Sequence, residues 1–303
     1  MQFFKRALPW LLAGLYILGI QYLLDWREVL VIWRRFPLST LAVGAALIYL
    51  SYGVRSLRFY RYFAADYAIS WLRLLRLTLH HNFLNTLLPA RSGEISFPLL
   101  MKRYFGVPFS TAAPALLWLR LLDLHAVLTF GFAALLWRQR QTGGLIAFLL
   151  VWPALPWLAY AARGWLLRRA GSIPAVQRFW SAVAAGFPRS PAQFAWSWCL
   201  TWCNWLVKFL ALTWMLATLS SLPWPTALPG VILGELSSIL PVHAPAGVGS
   251  YEAGIIAGLT PFGVELARAG RAAINLHLFV LAVVSSSGLL ALLLGWLERR
   301  PER

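Results

Sequence analysis

Acidic side chains are scarce in the sequence: ten Asp and Glu stand against 27 Lys and Arg in 303 residues, and charged residues make up only 12% of a chain that is 60% hydrophobic. A soluble core of this size needs no such composition, so the scarcity of charge excludes an ordinary soluble domain and points to the polytopic membrane class. Cysteine is nearly absent as well. Cys199 and Cys203 lie four apart in an apolar segment, which excludes a disulfide framework and a cysteine metal site and predicts two buried thiols. Catalytic signatures are missing: there is no H-E-x-x-H, no G-x-S-x-G elbow, no P-loop and no Cys/His ligand set. Tyr251 follows Ser250 where an intramembrane serine protease would need glycine, and the adjacent His80 and His81 point in different directions on a helix. No catalysis, cofactor or metal is expected. The net charge of +17 would suit nucleic acid, but the basic residues sit in short loops between apolar segments. Inner-side enrichment of Lys and Arg and contact with anionic lipid produce that pattern, so no nucleic-acid partner is expected.

What the sequence has in plenty is apolar runs. Those at about 7–24, 38–54, 111–136, 144–162, 195–221 and 271–296 predict six transmembrane helices, the first beginning like a signal peptide but lacking a small-x-small cleavage site and long enough to span. Two further apolar segments, 80–101 and about 228–260, are broken by Gly and Pro. Non-helical backbone at membrane depth survives only inside protein or along a cavity, so these predict re-entrant helical hairpins. Residues 55–79 alternate arginine with aromatic and leucine residues and predict an interfacial amphipathic helix whose arginines face lipid phosphates.

With the N-terminus inside, 17 Lys and Arg, Arg55 and Arg58 among them, fall on the inner face and 7 on the outer, while Arg91, Arg120 and Lys208 lie within the membrane. The bias predicts both termini inside. The broken segments then enter from opposite faces, and the chain reads as a single membrane domain, 1–303, of two halves, about 1–137 and 144–298. NTLLPARSGE in the first hairpin and SSILPVHAPAGVGSYE in the second both pass from small polar residues through Leu-Pro and a Gly-containing turn to Glu. The fold class expected is therefore an all-α polytopic membrane protein, with about six transmembrane helices and two re-entrant hairpins in an inverted repeat. Such repeats point to a transporter with its site near the midplane.

The intramembrane polar residues are the candidate site. Arg91 and Glu94 flank Gly93 behind Asn85; the pair either neutralises a hairpin tip or offers a planar guanidinium fork to a phosphate, and the two roles are compatible. Arg120 and Asp123 share a helix face by their i,i+3 spacing, either as a buried structural pair or with Arg120 joining Arg91 in an anionic headgroup site and Asp123 orienting it. Lys208, one turn after Asn204, needs a partner among Asp123, Glu94, Glu235 and Glu252, or it snorkels. His243 and Glu252 belong to the second hairpin, where glycines permit tight turns and buried carboxylates can carry protons. Ser285, Ser286 and Ser287 are expected to bond to backbone or a neighbouring helix.

The run NTLLPARSGE, then Gly106-Val107, the span containing WLRLLDL, and the stretch from Leu240-Pro241 through GVGSYEAG to Gly263-Val264 together resemble the lysylphosphatidylglycerol synthetase transmembrane-region or flippase-like family. The resemblance covers most of the chain in layout. It implies an integral bacterial or archaeal membrane protein that moves lipids between leaflets or membranes: an anionic phospholipid, a polyprenyl-linked lipid or a hopanoid. The place expected is the bacterial cytoplasmic membrane, with both termini cytoplasmic by the basic bias. The family's LPGR-GE pattern falls on Leu88, Pro89, Ala90, Arg91, Gly93 and Glu94, with Ala90 where the family has glycine. Its Glu-Arg-x-x-Asp motif falls on Leu119, Arg120 and Asp123, with leucine in place of the acid. Its basic residue in the last span falls near His277-Leu278, which leaves His277 or Arg271 to supply a cation. With the chain ending at Arg303, no soluble synthetase domain and no aminoacyl transfer are expected. The function expected is that of a lipid flippase or transporter for a headgroup bearing phosphate. The alternative is a non-transporting membrane partner of a lipid or envelope biosynthesis enzyme, and a homo-oligomer fits either.

Overall fold

The structure, a computed structural model, describes residues 18–19, 21–22, 24–165, 174–239 and 245–297, with backbone alone at residues 35, 89–91, 175, 179 and 297. Among the described residues it is built of helices, with no strand: α1 (Trp26–Arg35), α2 (Leu38–Phe63), α3 (Trp71–Leu87), α4 (Ser96–Phe105), α5 (Phe109–Arg138), α6 (Thr142–Val151), α7 (Leu155–Ala161), α8 (Pro174–Ala185), α9 (Pro191–Ser220), α10 (Trp224–Ile239), α11 (Ser250–Leu259) and α12 (Leu266–Leu297).

Five helices are long and apolar enough to cross a membrane: α2, α5, the run Thr142–Ala161 formed by α6 and α7, α9, and α12 over Leu266–Trp296. They coincide with five of the six predicted spans, and the chain is a multi-pass membrane protein; the first predicted span, 7–24, lies almost wholly outside the described residues. The run Thr142–Ala161 shows why hydropathy found these helices so well. It leaves Ile146, Leu149, Leu150, Val151 and Leu158 on the surface, an arrangement that lipid tolerates and water does not.

The basic stretch 55–79 departs from the interfacial helix predicted for it. Residues 55–63 complete the 26-residue helix α2, and α3 begins only at Trp71. Arg55 and Arg58 are buried, at 8% and 1% exposure, because a carboxylate from a distant helix receives Arg58. Only later arginines of the stretch behave as a surface set: Arg61 is exposed, its guanidinium 4.7 Å from the Trp196 ring, and Arg73 is exposed too. The two buried arginines therefore leave the inner-face count. Cys199 and Cys203 are a second correction, since both are free and exposed on α9 rather than buried; in hydrocarbon an apolar-facing thiol needs no burial in protein.

The chain divides into two compact units, one of residues 1–51, 79–94 and 206–303, the other of 52–78 and 95–205. In the second unit α3 and α4 double back on one another, with Arg76 Nη2 donating to the Tyr104 hydroxyl at 3.4 Å and stacking on its ring. Gly106, at φ 67°, ends α4: its N–H donates to the Lys102 carbonyl and the Val107 N–H to that of Met101. The core of this unit is aromatic, with Phe59, Tyr62, Phe63, Phe97, Trp118 and Phe194 buried together. In the first unit the break at Pro89–Ile95 folds back so closely that a Cβ on Gly93 would lie 2.4 Å from Asn85 Cα. There α10 and α11 pack as an antiparallel pair through facing glycines, a Cβ on Gly258 falling 2.4 Å from the Pro229 carbonyl and one on Gly254 falling 2.6 Å from that of Leu233. Both broken segments are thus helix–break–helix elements.

Candidate functional site

In the second unit the buried carboxylate of Asp123, on α5, collects donors from three helices. Arg58 of α2 reaches it with a two-pronged fork, Nη1 donating to Oδ1 at 2.8 Å and Nη2 to Oδ2 at 3.1 Å. Trp205 Nε1 of α9 donates to Oδ1 at 2.9 Å, and Arg120 Nη1, one turn away on α5, donates to Oδ2 at 3.3 Å. Arg58 Nη1 also donates to Thr201 Oγ1 at 2.7 Å, whose hydroxyl donates in turn to the Ser197 carbonyl. Arg55, buried one turn before Arg58 on α2, lies within electrostatic reach of Arg58, Arg120 and Asp123. Three guanidiniums therefore stand around one carboxylate. The arginines differ in access: the side chain of Arg58 is 1% exposed and that of Arg120 is 16% exposed.

Two ion pairs of the first unit lie near α11. Lys208 Nζ meets Glu235 Oε2 at 2.5 Å, and the Tyr251 hydroxyl donates to Glu235 Oε1 at 3.2 Å. Glu235 is one of the four acids expected to partner Lys208. The pair is buried on the acid's side, so removing one partner strands the other. Lys208→Met is expected to destabilise the protein by about 3–5 kcal/mol, and Lys208→Met with Glu235→Gln to recover most of that loss; thermal midpoints in detergent measure both. Glu252 accepts the Gly249 N–H on Oε2 at 2.8 Å, and its Oε1 lies 2.6 Å from His277 Nδ1. His277 Nε2 is 2.9 Å from the Ala246 carbonyl.

The sequence-predicted residues are thus brought together in groups. Arg120 and Asp123 are joined in one cluster, and Asn85 is joined to Glu94, Nδ2 donating to Oε1 at 3.2 Å, with His81 Nε2 3.8 Å from Oε2. Lys208 and Glu252 each belong to a separate pair. The Arg91 side chain and all of His243 lie outside what the structure describes. Sequence reading missed Arg55, Arg58, Thr201 and Trp205. The signal was present in the i,i+3 spacing of Arg55 and Arg58 at the end of an apolar run, and in Thr201 and Trp205 sharing a face by i,i+4 spacing with Lys208 close behind. Ser286 and Ser287 bond to backbone carbonyls as expected, and Ser286 also meets the Tyr49 hydroxyl at 2.9 Å.

No curated protein and no solved structure matches the chain. The arginine–aspartate cluster nevertheless contains the Arg120 and Asp123 of the expected family motif, and a family model does match. Described as the lysylphosphatidylglycerol synthase TM region, it covers residues 10–288. With nearly the whole multi-pass chain inside that match, the protein belongs to the lysylphosphatidylglycerol synthase transmembrane-region family.

Proposed function

We propose that the protein is a lipid flippase or lipid transporter, and that the arginines around Asp123 receive the anionic headgroup of its cargo while the tails stay in lipid. The observation that carries this reading is the gathering of the Arg55, Arg58 and Arg120 guanidiniums around the Asp123 carboxylate in a buried and half-buried cluster. Guanidinium forks so concentrated match the oxygens of a phosphate, which favours an anionic headgroup there. Arg120 is the arginine suited to hand over, because it is the more exposed and makes the longest of the described bonds to Asp123. The family supports a lipid-related role. In this reading the two helix–break–helix elements are re-entrant hairpins of an inverted repeat, and Arg91 at the first break is a second headgroup contact. The protein sits in the bacterial inner membrane with both termini cytoplasmic, and the reaction is transport rather than catalysis. The cargo class is an anionic phospholipid or a polyprenyl-linked or hopanoid lipid.

Purified protein in liposomes is expected to accelerate transbilayer movement of labelled phosphatidylglycerol more than that of labelled phosphatidylcholine. Arg120→Ala is expected to slow the former about tenfold, the worth of one charge-assisted contact. Unchanged rates in both Arg120→Ala and Arg91→Ala would remove the site.

A second reading, a non-transporting membrane partner of a lipid-biosynthesis enzyme, is favoured by the pairing of Lys208 with Glu235 and of His277 with Glu252. Co-purification with such an enzyme, together with no lipid movement by the isolated chain, distinguishes it.

A further inference from the structure

We propose that Glu252 and His277 form a proton-binding site which fastens the turn before α11 to α12, and that loss of its proton releases that turn. The hydrogen-bond geometry carries this by elimination. The Ala246 carbonyl can only accept, so His277 Nε2, 2.9 Å away, carries a hydrogen. Nδ1 and Glu252 Oε1 face each other at 2.6 Å, and two lone pairs do not approach so closely without a hydrogen between them. That hydrogen belongs either to an imidazolium or to a carboxylic acid. In both cases the pair holds one proton more than a neutral imidazole beside a carboxylate, and it is neutral overall, as a site with 4% and 5% exposure favours.

When the proton leaves, one imidazole hydrogen remains and two acceptors compete for it. The ring can donate to Glu252 or to Ala246 but not to both, so one contact turns from attraction to lone-pair repulsion. Either loss loosens the same element, since Ala246 lies in the turn and Glu252 closes it by accepting the Gly249 N–H at 2.8 Å. The turn is strained enough to respond: Ala246 sits at φ 58° with Gly247 and Gly249 also at positive φ. The described bonds of the neighbouring groups lead elsewhere. On α11 the Tyr251 ring lies tilted 4.8 Å from the imidazole and its hydroxyl donates to Glu235 of α10, and Lys208 of α9 meets Glu235 on its other oxygen. On α12, Arg268 donates to the carbonyls of Ser220 and Ser221, and Arg271 to Glu28. The inference does not depend on which lipid the protein carries, because the proton count follows from these contacts alone.

The test uses the full chain in lipid nanodiscs with Cys199→Ser, Cys203→Ser and Val248→Cys, labelled by a maleimide between pH 5.5 and 9. Dividing its labelling rate by that of the same chain carrying Glu252→Gln cancels the ordinary thiolate dependence. The carboxamide donates to Nδ1 and accepts from Gly249 without a proton to lose. The ratio is expected to rise about tenfold as the pH is raised, the effect of one lost charge-assisted contact. A ratio that stays flat overturns the proposal. If the Glu252→Gln chain misassembles, ring nitrogen-15 spectra of the unsubstituted chain decide instead, with the His277 signals assigned by their loss in His277→Gln. A pH-dependent Nδ1 resonance supports the site, and His277 signals fixed across the range overturn it.

Discussion

Asp123→Ala is expected to cost the protein about 3–5 kcal/mol, the usual penalty for breaking a buried ion pair from one side. It should lower the thermal midpoint in detergent by about 10 °C. The size follows from how many groups depend on that one carboxylate. Its removal leaves the Arg58 fork, the Arg120 guanidinium and the Trp205 N–H without the acceptor they share, and it leaves three buried or half-buried cations to repel one another. Asp123→Asn separates the two contributions, for the amide oxygen still accepts from Trp205 while the charge is gone. It is expected to fall between alanine and wild type. A third chain, Arg58→Met with Asp123→Leu, removes the ion pair and fills its space with apolar atoms, which often restores stability. It should recover most of the lost midpoint yet leave lipid movement slow, because a headgroup site needs the guanidiniums and a scaffold does not. If Asp123→Ala unfolds no more readily than wild type, the cluster is not the keystone of its unit.

Much of the architecture was legible because membrane helices announce themselves one segment at a time. Each of the five described spans is a contiguous apolar run, and the two Gly/Pro-broken segments stood out by the same criterion. The site was legible only where both partners lie on one helix, as Arg120 and Asp123 do at i,i+3, or where burial cost forced an inference, as it did for Lys208. Arg58 was misassigned because its partner is 65 residues away. Before that carboxylate is brought up, an arginine at the end of an apolar run is indistinguishable from one that faces lipid phosphates. The Glu252–His277 pair hid for a related reason. A histidine within an apolar helix has no local signature, and the carbonyl that fixes its tautomer belongs to a turn with positive φ. The exposed Cys199 and Cys203 illustrate the converse limit, since in a membrane chain an apolar helix face gives no indication of whether protein covers it.

Gly258→Val is expected to drive α10 and α11 apart. Two glycine pairs at i,i+4 spacing, Gly230 with Gly234 and Gly254 with Gly258, face each other across this helix pair, and close backbone approach is what such small-residue faces permit in lipid. A Cβ on Gly258 would lie 2.4 Å from the Pro229 carbonyl oxygen and 2.6 Å from Gly230 Cα. Those are backbone atoms, so no rotamer change relieves the overlap and the helices themselves must shift. The shift cannot remain local. The Tyr251 hydroxyl reaches Glu235 across the same interface, and Glu252, next in the chain, holds His277, so separating the helices strains the Lys208–Glu235 and Glu252–His277 pairs together. Overpacking alone costs about 1–3 kcal/mol, and loss of either coupled contact adds to it, whereas Gly53→Ala, with no atom near its new Cβ on helix α2, is expected to hold or gain about 0.5–1 kcal/mol. Thermal midpoints of the two variants in detergent measure the contrast. The Val248→Cys labelling supplies its functional counterpart: in Gly258→Val the ratio to the same chain carrying Glu252→Gln should stay flat with pH, because a helix pair already forced apart has no proton-dependent latch left to release.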